Sequence, residues 1–234
     1  MGKLSVAIVV PALDEELALK ETVEGILAEC AARDLAHVVY VVDDGSTDAT
    51  GRIADTLASA YPGRVDVVHH QSPKGLGFAY WSAVDQAKED FIMMIPGDGE
   101  IPREAVGLLL DHAGKADLIV PRVLGQEQRP LGRRLLSKAF TALVNGAFGL
   151  RLGYYNGPCL LRRDYVAASK IRARGFAYMA GILVPLVREG KMVKEIDLPL
   201  KYRAGGRSKA LSRRNALDVL LTLARLVRVC YTPR

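Results

Sequence analysis

Short apolar runs rich in β-branched residues alternate with segments of helical periodicity through the first half of this 234-residue chain, and that alternation constrains the fold more than any other feature. Leu4 to Val10, Val38 to Val42, Val65 to His69, Phe91 to Ile95 and Leu118 to Val120 are continuous apolar runs of the kind that form strands buried on both faces. Between them, Glu16 to Ala32, Asp48 to Ala60, Leu76 to Lys88 and Pro102 to His112 carry helical spacing. The alternation predicts a doubly wound, mostly parallel α/β sheet. Ligands of such sheets bind beyond the carboxyl ends of the strands, so the residues that follow each apolar run are where function is to be sought.

The second half is less regular. Arg129 to Leu152 sets the pairs Leu135/Leu136, Ala139/Phe140, Leu143/Val144 and Ala147/Phe148 against a polar side of Arg134, Lys138, Thr141 and Asn145, which is amphipathic helix spacing. A strand at Cys159 to Leu161, a helix at Tyr178 to Arg188 and a strand at Val193 to Leu198 complete the domain. The tail from Arg214 to Tyr231 is again amphipathic, with Arg214, Asp218, Thr222 and Arg225 on one stripe and Leu217, Leu220, Leu221, Ala224 and Val227 opposite. With 50% apolar residues and no break in composition, one core is expected: residues 1–210 as the domain and 211–234 as an appended helix.

Cys30, Cys159 and Cys230 are scattered, odd in number and form no ligand pattern, which fits a reducing cytoplasm. The first apolar run is too short to span a bilayer, and Arg225 and Arg228 interrupt the longest apolar stretch of the tail. Leu135 to Phe148 and Leu217 to Val227 instead supply apolar helix faces beside arginines, as interfacial helices do. The net charge of +6 favours an anionic partner. Interleaved aromatic and basic residues are missing, so nucleic acid is not expected.

Three strand ends are acidic. The first run closes at Pro11, expected to stop the strand, and Asp14, Glu15 and Glu16 are expected to open the next helix. The second is followed by Asp43-Asp44-Gly45-Ser46-Thr47-Asp48. Gly45 with Ser46 or Thr47 explains a turn and a cap, but two adjacent carboxylates repel unless a cation or hydrogen-bond donors receive them. The fourth ends in Pro96-Gly97-Asp98-Gly99-Glu100, where Asp98 and Glu100 can turn toward one Mg²⁺ or Mn²⁺ ion. Farther on, Arg203-Ala204-Gly205-Gly206-Arg207-Ser208-Lys209 is a glycine-containing basic loop suited either to phosphate oxygens or to solvent.

Together these residues resemble glycosyltransferase family 2, in its dolichyl-phosphate mannose synthase-like branch, over nearly the whole chain. Val10-Pro11-Ala12-Leu13-Asp14-Glu15 is similar to the family's P-x-x-N/D-E opening, Val42-Asp43-Asp44-Gly45-Ser46-Thr47-Asp48 to its D-D-x-S-x-D turn, and Arg203-x-x-Gly206-x-Ser208-Lys209 to its R-x-x-G-x-S-K loop. The resemblance implies a single-domain, GT-A-like doubly wound sheet with a C-terminal amphipathic helix, and an inverting, metal-dependent transfer from a nucleotide diphosphate sugar to a polyprenyl phosphate. It implies that Pro11, Ala12, Glu15, Val42 and Asp44 hold the nucleoside, and that Arg203, Ser208 and Lys209 hold the diphosphate. Asp98 and Glu100 would hold the metal, with Asp98, Arg203 and Lys209 carrying catalysis, and Arg122, Arg133 and Arg134 would meet the acceptor phosphate. The work would be done in the cytoplasm, with peripheral contact at the inner face of a membrane.

Two departures bear on chemistry. Pro96 stands at the first aspartate of the family's D-A-D-x-Q metal motif, leaving Asp98 and Glu100. Gly181 stands where the G-F-x-F/Y-x-x-E segment carries glutamate. A hydroxyl acceptor needs a general base, whereas a phosphate monoester is already ionised near neutral pH, so the missing glutamate favours phosphate. His37, His69, His70 and His112 lie outside the segment expected to face the acceptor, and Asp164 remains as an alternative acid. Transfer to a lipid or saccharide hydroxyl, and a non-catalytic nucleotide-sugar-binding protein, are the competing readings.

Overall fold

A computed structural model describes residues 3–124, 131–199 and 213–232. Seven strands, β1 (Ser5–Ala12), β2 (Ala36–Asp43), β3 (Val65–His69), β4 (Phe91–Met94), β5 (Leu118–Leu124), β6 (Leu160–Arg162) and β7 (Val193–Pro199), form one sheet in the order β3-β2-β1-β4-β6-β5-β7. All pairings are parallel except those of β6, which runs antiparallel to both β4 and β5. The chain winds outward from β1 to β3 and then crosses back to β4, so the crevice of a switch point opens between the loops after β1 and β4.

Helices cover both faces. α1 (Leu19–Ala32), α2 (Thr50–Ala60) and α4 (Arg103–Leu110) pack on the face lined by Val6, Ile8 and Val10. α3 (Leu76–Val84), α5 (Leu131–Phe148), α6 (Arg163–Ala167), α7 (Tyr178–Arg188) and α8 (Arg213–Tyr231) lie on the other, where Ala7 and Val9 point. Alternate residues of one strand thus feed two cores, which is why the strand sequences are continuously apolar. Truncating one of these side chains, such as the fully buried Ile8, costs about 2–5 kcal/mol.

Local chemistry sets the ends. α1 stops where Asp34 takes φ 51°, with Leu35 N–H returned to Cys30 O and Asp34 N–H to Ala31 O. Two boundaries differ from the sequence expectation. Pro11 lies within β1: bonds from Ile95 N–H to Val9 O and from Gly97 N–H to Pro11 O continue the pairing with β4 on either side of its nitrogen, so the proline leaves out one donor at the end of the ladder without ending the strand. Asp14 to Glu16 form a turn ahead of α1, with Asp14 at φ 57°, and do not open the helix.

The tail leaves most of its leucine stripe uncovered. Leu226 and Thr222 are buried, Asp218 accepts Gly175 N–H at 3.1 Å, and Leu217, Leu220 and Leu221 are 50–64% exposed. Asp218 and Thr222 of the polar stripe therefore meet the domain together with Leu226, Arg225 is exposed, and Leu217, Leu220 and Leu221 face out. Arg188 fixes the helix end by donating to Phe148 O and lying over the Tyr231 ring at 4.4 Å.

Candidate active site

The loops after β1 and β2 hold each other. Thr47 N–H donates to Asp14 Oδ1 at 2.8 Å, Asp14 N–H to Ser46 Oγ at 3.0 Å, and Glu15 N–H to Thr50 Oγ1 at 2.8 Å. Glu16 Oε2 accepts Ala49 N–H, while Asp48 accepts the N–H groups of both Glu16 and Thr50. Amides at the start of α2 that no helix carbonyl can reach are thereby satisfied. Asp14, Glu16 and Asp48 are structural acids.

Asp43 and Asp44 avoid mutual repulsion by turning to separate sets of donors. Asp43 accepts Ser46 N–H at 2.9 Å and faces His69 Nδ1 at 3.0 Å, and the other nitrogen of that ring meets Asp55 at 3.0 Å. Burial works against the Asp43 carboxylate, but hydrogen bonds from Ser46 and His69 outweigh it and hold its pKa below the usual 3.8. Bonds to Asp43 and Asp55 hold the half-exposed His69 above its usual 6.5. Asp44 takes His70 Nδ1 at 2.8 Å and Lys74 N–H at 2.9 Å on one oxygen, and Gly75 N–H at 2.9 Å on the other. The 70–75 segment, which carried no signal in the sequence reading, is what orients this carboxylate.

Beyond β4 the arrangement changes. Pro96, Asp98 and Glu100 line an open cavity of about 90 Å³ with Tyr154, Asn156 and Pro158 on its opposite wall. Asp98 Oδ1 accepts Glu100 N–H at 3.0 Å, a local turn that sets both side chains beside the same cavity. Gly97 has no side chain because a Cβ there would press on Leu19 and Ala12 at 3.2–3.3 Å, so β4's exit passes close over the end of β1. The far wall is anchored by Asn145 of α5, which bonds both main-chain groups of Leu152 and receives the Tyr155 hydroxyl. The cavity is well below the roughly 300–1,000 Å³ usual for small-molecule sites.

The family model "Glycosyl transferase family 2" matches residues 7–168. The chain belongs to glycosyltransferase family 2. It is 32% identical to a polyprenol monophosphomannose synthase of Mycolicibacterium smegmatis over 80% of this chain and 74% of that one. It is 24% identical to an undecaprenyl-phosphate 4-deoxy-4-formamido-L-arabinose transferase of Edwardsiella ictaluri over 87% of this chain, and spans only 62% of that relative's length. Among solved structures, glucosyl-3-phosphoglycerate synthase from Mycobacterium tuberculosis, crystallised with Mg²⁺ and UDP, superposes with TM-score 0.73 at 20% identity, over 100% of this chain and 81% of the other. The seven-stranded, mostly parallel sheet is thus a GT-A fold, and the relatives place the chain in the dolichyl-phosphate mannose synthase-like branch.

For a transferase of this family, the structure gathers some of the expected residues and separates others. Asp98 and Glu100 share the cavity. Pro11, Ala12 and Val42 are buried at the strand ends, and the Val42 side chain lies wholly in the core, so a nucleoside contact there would come from the main chain. Arg122 does not line the cavity: its Nε donates to Asp197 Oδ1 of β7 at 2.8 Å, although neighbouring Pro121 abuts the cavity's Gly157. Arg134 is partly buried on the first turn of α5. The Arg133 side chain and residues Arg203, Ser208 and Lys209 lie outside the described residues.

Neither Gly181 nor Asp164 lines the cavity after β4. A Cβ on Gly181 would meet Ile171 Cγ2 at 3.0 Å, and Pro185 sits one turn later in the same helix. Position 181 is therefore a close-packed position of α7 against Ile171. Asp164 follows the antiparallel β6, where Arg163 N–H bonds Asp90 O at the start of β4, so it lies at the end of the sheet where β4 begins, opposite to the cavity beyond β4. Tyr154 and Asn156 were missed by sequence reasoning. The only signal was a Tyr-Tyr-Asn-Gly turn with no acid or base in it.

Proposed function

We propose that this glycosyltransferase moves a sugar, with inversion, from a nucleotide diphosphate sugar to a polyprenyl phosphate at a membrane surface. The observation that carries the reading is the cavity after β4, where Asp98 and Glu100 are the only carboxylate or histidine side chains among the described residues in the wall. Two carboxylates do not close a metal cage, and among the described residues no three acids, histidines or cysteines are arranged so that they could hold a metal ion. That donor set fits Mg²⁺ or Mn²⁺, which are held through one or two carboxylates and complete their shell with substrate phosphates and water. When bound, the ion supplies positive charge to the departing diphosphate.

The acceptor phosphate oxygen forms its bond to the anomeric carbon from the face opposite the diphosphate, as the carbon–oxygen bond to the diphosphate breaks and its electron pair leaves with that group. Arg203, Ser208 and Lys209 are assigned to the diphosphate, and Pro11, Ala12, Glu15, Val42 and Asp44 to the nucleoside. Arg122, Arg133 and Arg134 are assigned to the acceptor phosphate, which would compete with Asp197 for Arg122. No proton has to be removed from such an acceptor, consistent with the histidines, which are all engaged elsewhere: His69 and His70 with Asp43 and Asp44, His37 with Leu35 O, and His112 with Leu108 O. The two relatives named above differ in the sugar and share a polyprenyl phosphate acceptor, which supports the same acceptor class here.

Residues 1–210 are assigned to catalysis and 211–234 to membrane contact at the cytoplasmic face. Among the described residues no helix is long and apolar enough to cross a membrane. The outward leucines of α8, with Leu131, Leu135, Leu136 and Leu143 of α5, instead form apolar faces on a chain of net charge +6. Radiolabelled sugar transfer into an organic-soluble product tests both parts: a short-chain polyprenyl phosphate is expected to be glycosylated and the matching alcohol not, and the protein is expected to float with anionic liposomes. Efficient transfer to the alcohol would replace the acceptor assignment, and protein remaining wholly in the soluble fraction would remove the membrane one.

A further inference from the structure

Asp44 has almost no hydrogen-bonding capacity left. A carboxylate offers about four acceptor positions, and three are filled: His70 Nδ1 and Lys74 N–H both reach Oδ1, and Gly75 N–H reaches Oδ2. Facing a carboxylate that only accepts, Nδ1 of His70 must carry the proton. The ring cannot swing away, because Nε2 meets Ser82 Oγ at 3.0 Å and the Phe78 ring packs edge-on at 5.2 Å. Asp44 and His70 are both buried, so water does not compete for this arrangement. One acceptor position remains, on Oδ2.

Resting on the assignment of Asp44 to the donor nucleoside, we propose that the His70-held carboxylate is a single-acceptor site that selects a base with one imide N–H, uracil or thymine, against guanine. Guanine presents N1–H and a 2-amino group side by side, and a carboxylate receives that pair one N–H per oxygen; here Oδ1 is already doubly occupied. Uracil and thymine present one N3–H between two carbonyl oxygens, and the surroundings suit carbonyls. Lys74 Nζ and the Arg174 guanidinium lie 4.8 and 5.5 Å from the centre of the same Phe78 ring, and neither has a carboxylate within 4.0 Å among the described residues. A cation there attracts a ring carbonyl, of which uracil has one on each side of N3–H and guanine only one beside N1–H, so the discrimination rests on the acceptor count at Asp44. Binding guanine would strand one buried N–H, a loss of about tenfold or more in affinity. His70 is in this sense a positioning residue: it touches no base and acts by occupying Oδ1.

Calorimetric titration of the intact protein in Mg²⁺ with UDP, GDP and inosine diphosphate tests this. Hypoxanthine keeps the purine size and the N1–H but lacks the 2-amino group. UDP is expected to bind at least about tenfold more tightly than GDP, and inosine diphosphate several-fold more tightly than GDP. In His70→Ala the vacated oxygen position should narrow both ratios, and His70→Asn, whose side-chain amide can donate where Nδ1 did, should restore them. GDP binding as tightly as UDP and inosine diphosphate in the unaltered protein would overturn the proposal while leaving the transferase reading intact. Failure of all three to bind would instead remove the donor assignment, and this inference with it.

Discussion

The carboxylates after β2 and those after β4 look alike in sequence, each a pair of acids beside a glycine, yet the fold treats them differently. Asp43 and Asp44 are 5–6% exposed and held by main-chain amides and histidines from the next strand and loop. Asp98 and Glu100 are partly exposed and border a cavity, and their mutual bond is a local turn. The first pair is surrounded by donors from other loops, whereas the second borders a cavity open to a ligand. The distinction depends on which loops lie alongside, and no local motif carries it.

The largest effect expected from this contrast is at Asp98. Asp98→Ala should lower transfer at least ~100-fold, as removal of a group that supports transition-state charge does, with a thermal midpoint close to that of the unaltered protein. Near-normal activity in chelator-treated buffer would place Asp98 with the structural acids. Asp43→Ala should do the reverse, since it leaves Ser46 N–H and His69 without their acceptor and costs about 1–3 kcal/mol in chemical denaturation. Activity per folded molecule should change little; if it collapses while stability holds, Asp43 belongs to the chemistry.

The smallest effect is a pH dependence. His69 has a raised pKa, so its contribution to stability is complete below 6.5 and is lost as pH rises through its folded value. Asp43 has a lowered pKa, so its contribution is present above 3.8 and is lost as pH falls through its folded value. Denaturation midpoints measured from mildly acidic to alkaline pH should therefore decline above 6.5 in the unaltered protein. His69→Gln should flatten that decline, and an unchanged slope in the variant would mean that the pair does not act as a proton-linked unit.

The sequence by itself determined the strands, most of the helices, the acidic loops and the family, because apolar periodicity and turn chemistry are local and survive without knowledge of partners. The tertiary structure alone decided that β6 runs antiparallel, which carries Asp164 to the end of the sheet where β4 begins, and that Gly181 packs against Ile171. It also decided which stripe of α8 is covered. The pattern separates leucines from polar residues, but Asp218 finds Gly175 N–H and Thr222 finds the core, so the leucines are left outside. At Asp44 the missing information was again non-local: its partners come from 26 to 31 residues farther along the chain, and only the parallel pairing of β2 with β3 brings them within hydrogen-bonding distance. Strand direction, helix facing and the saturation of a buried carboxylate are properties of neighbours distant in sequence, and they are fixed only when the sheet assembles.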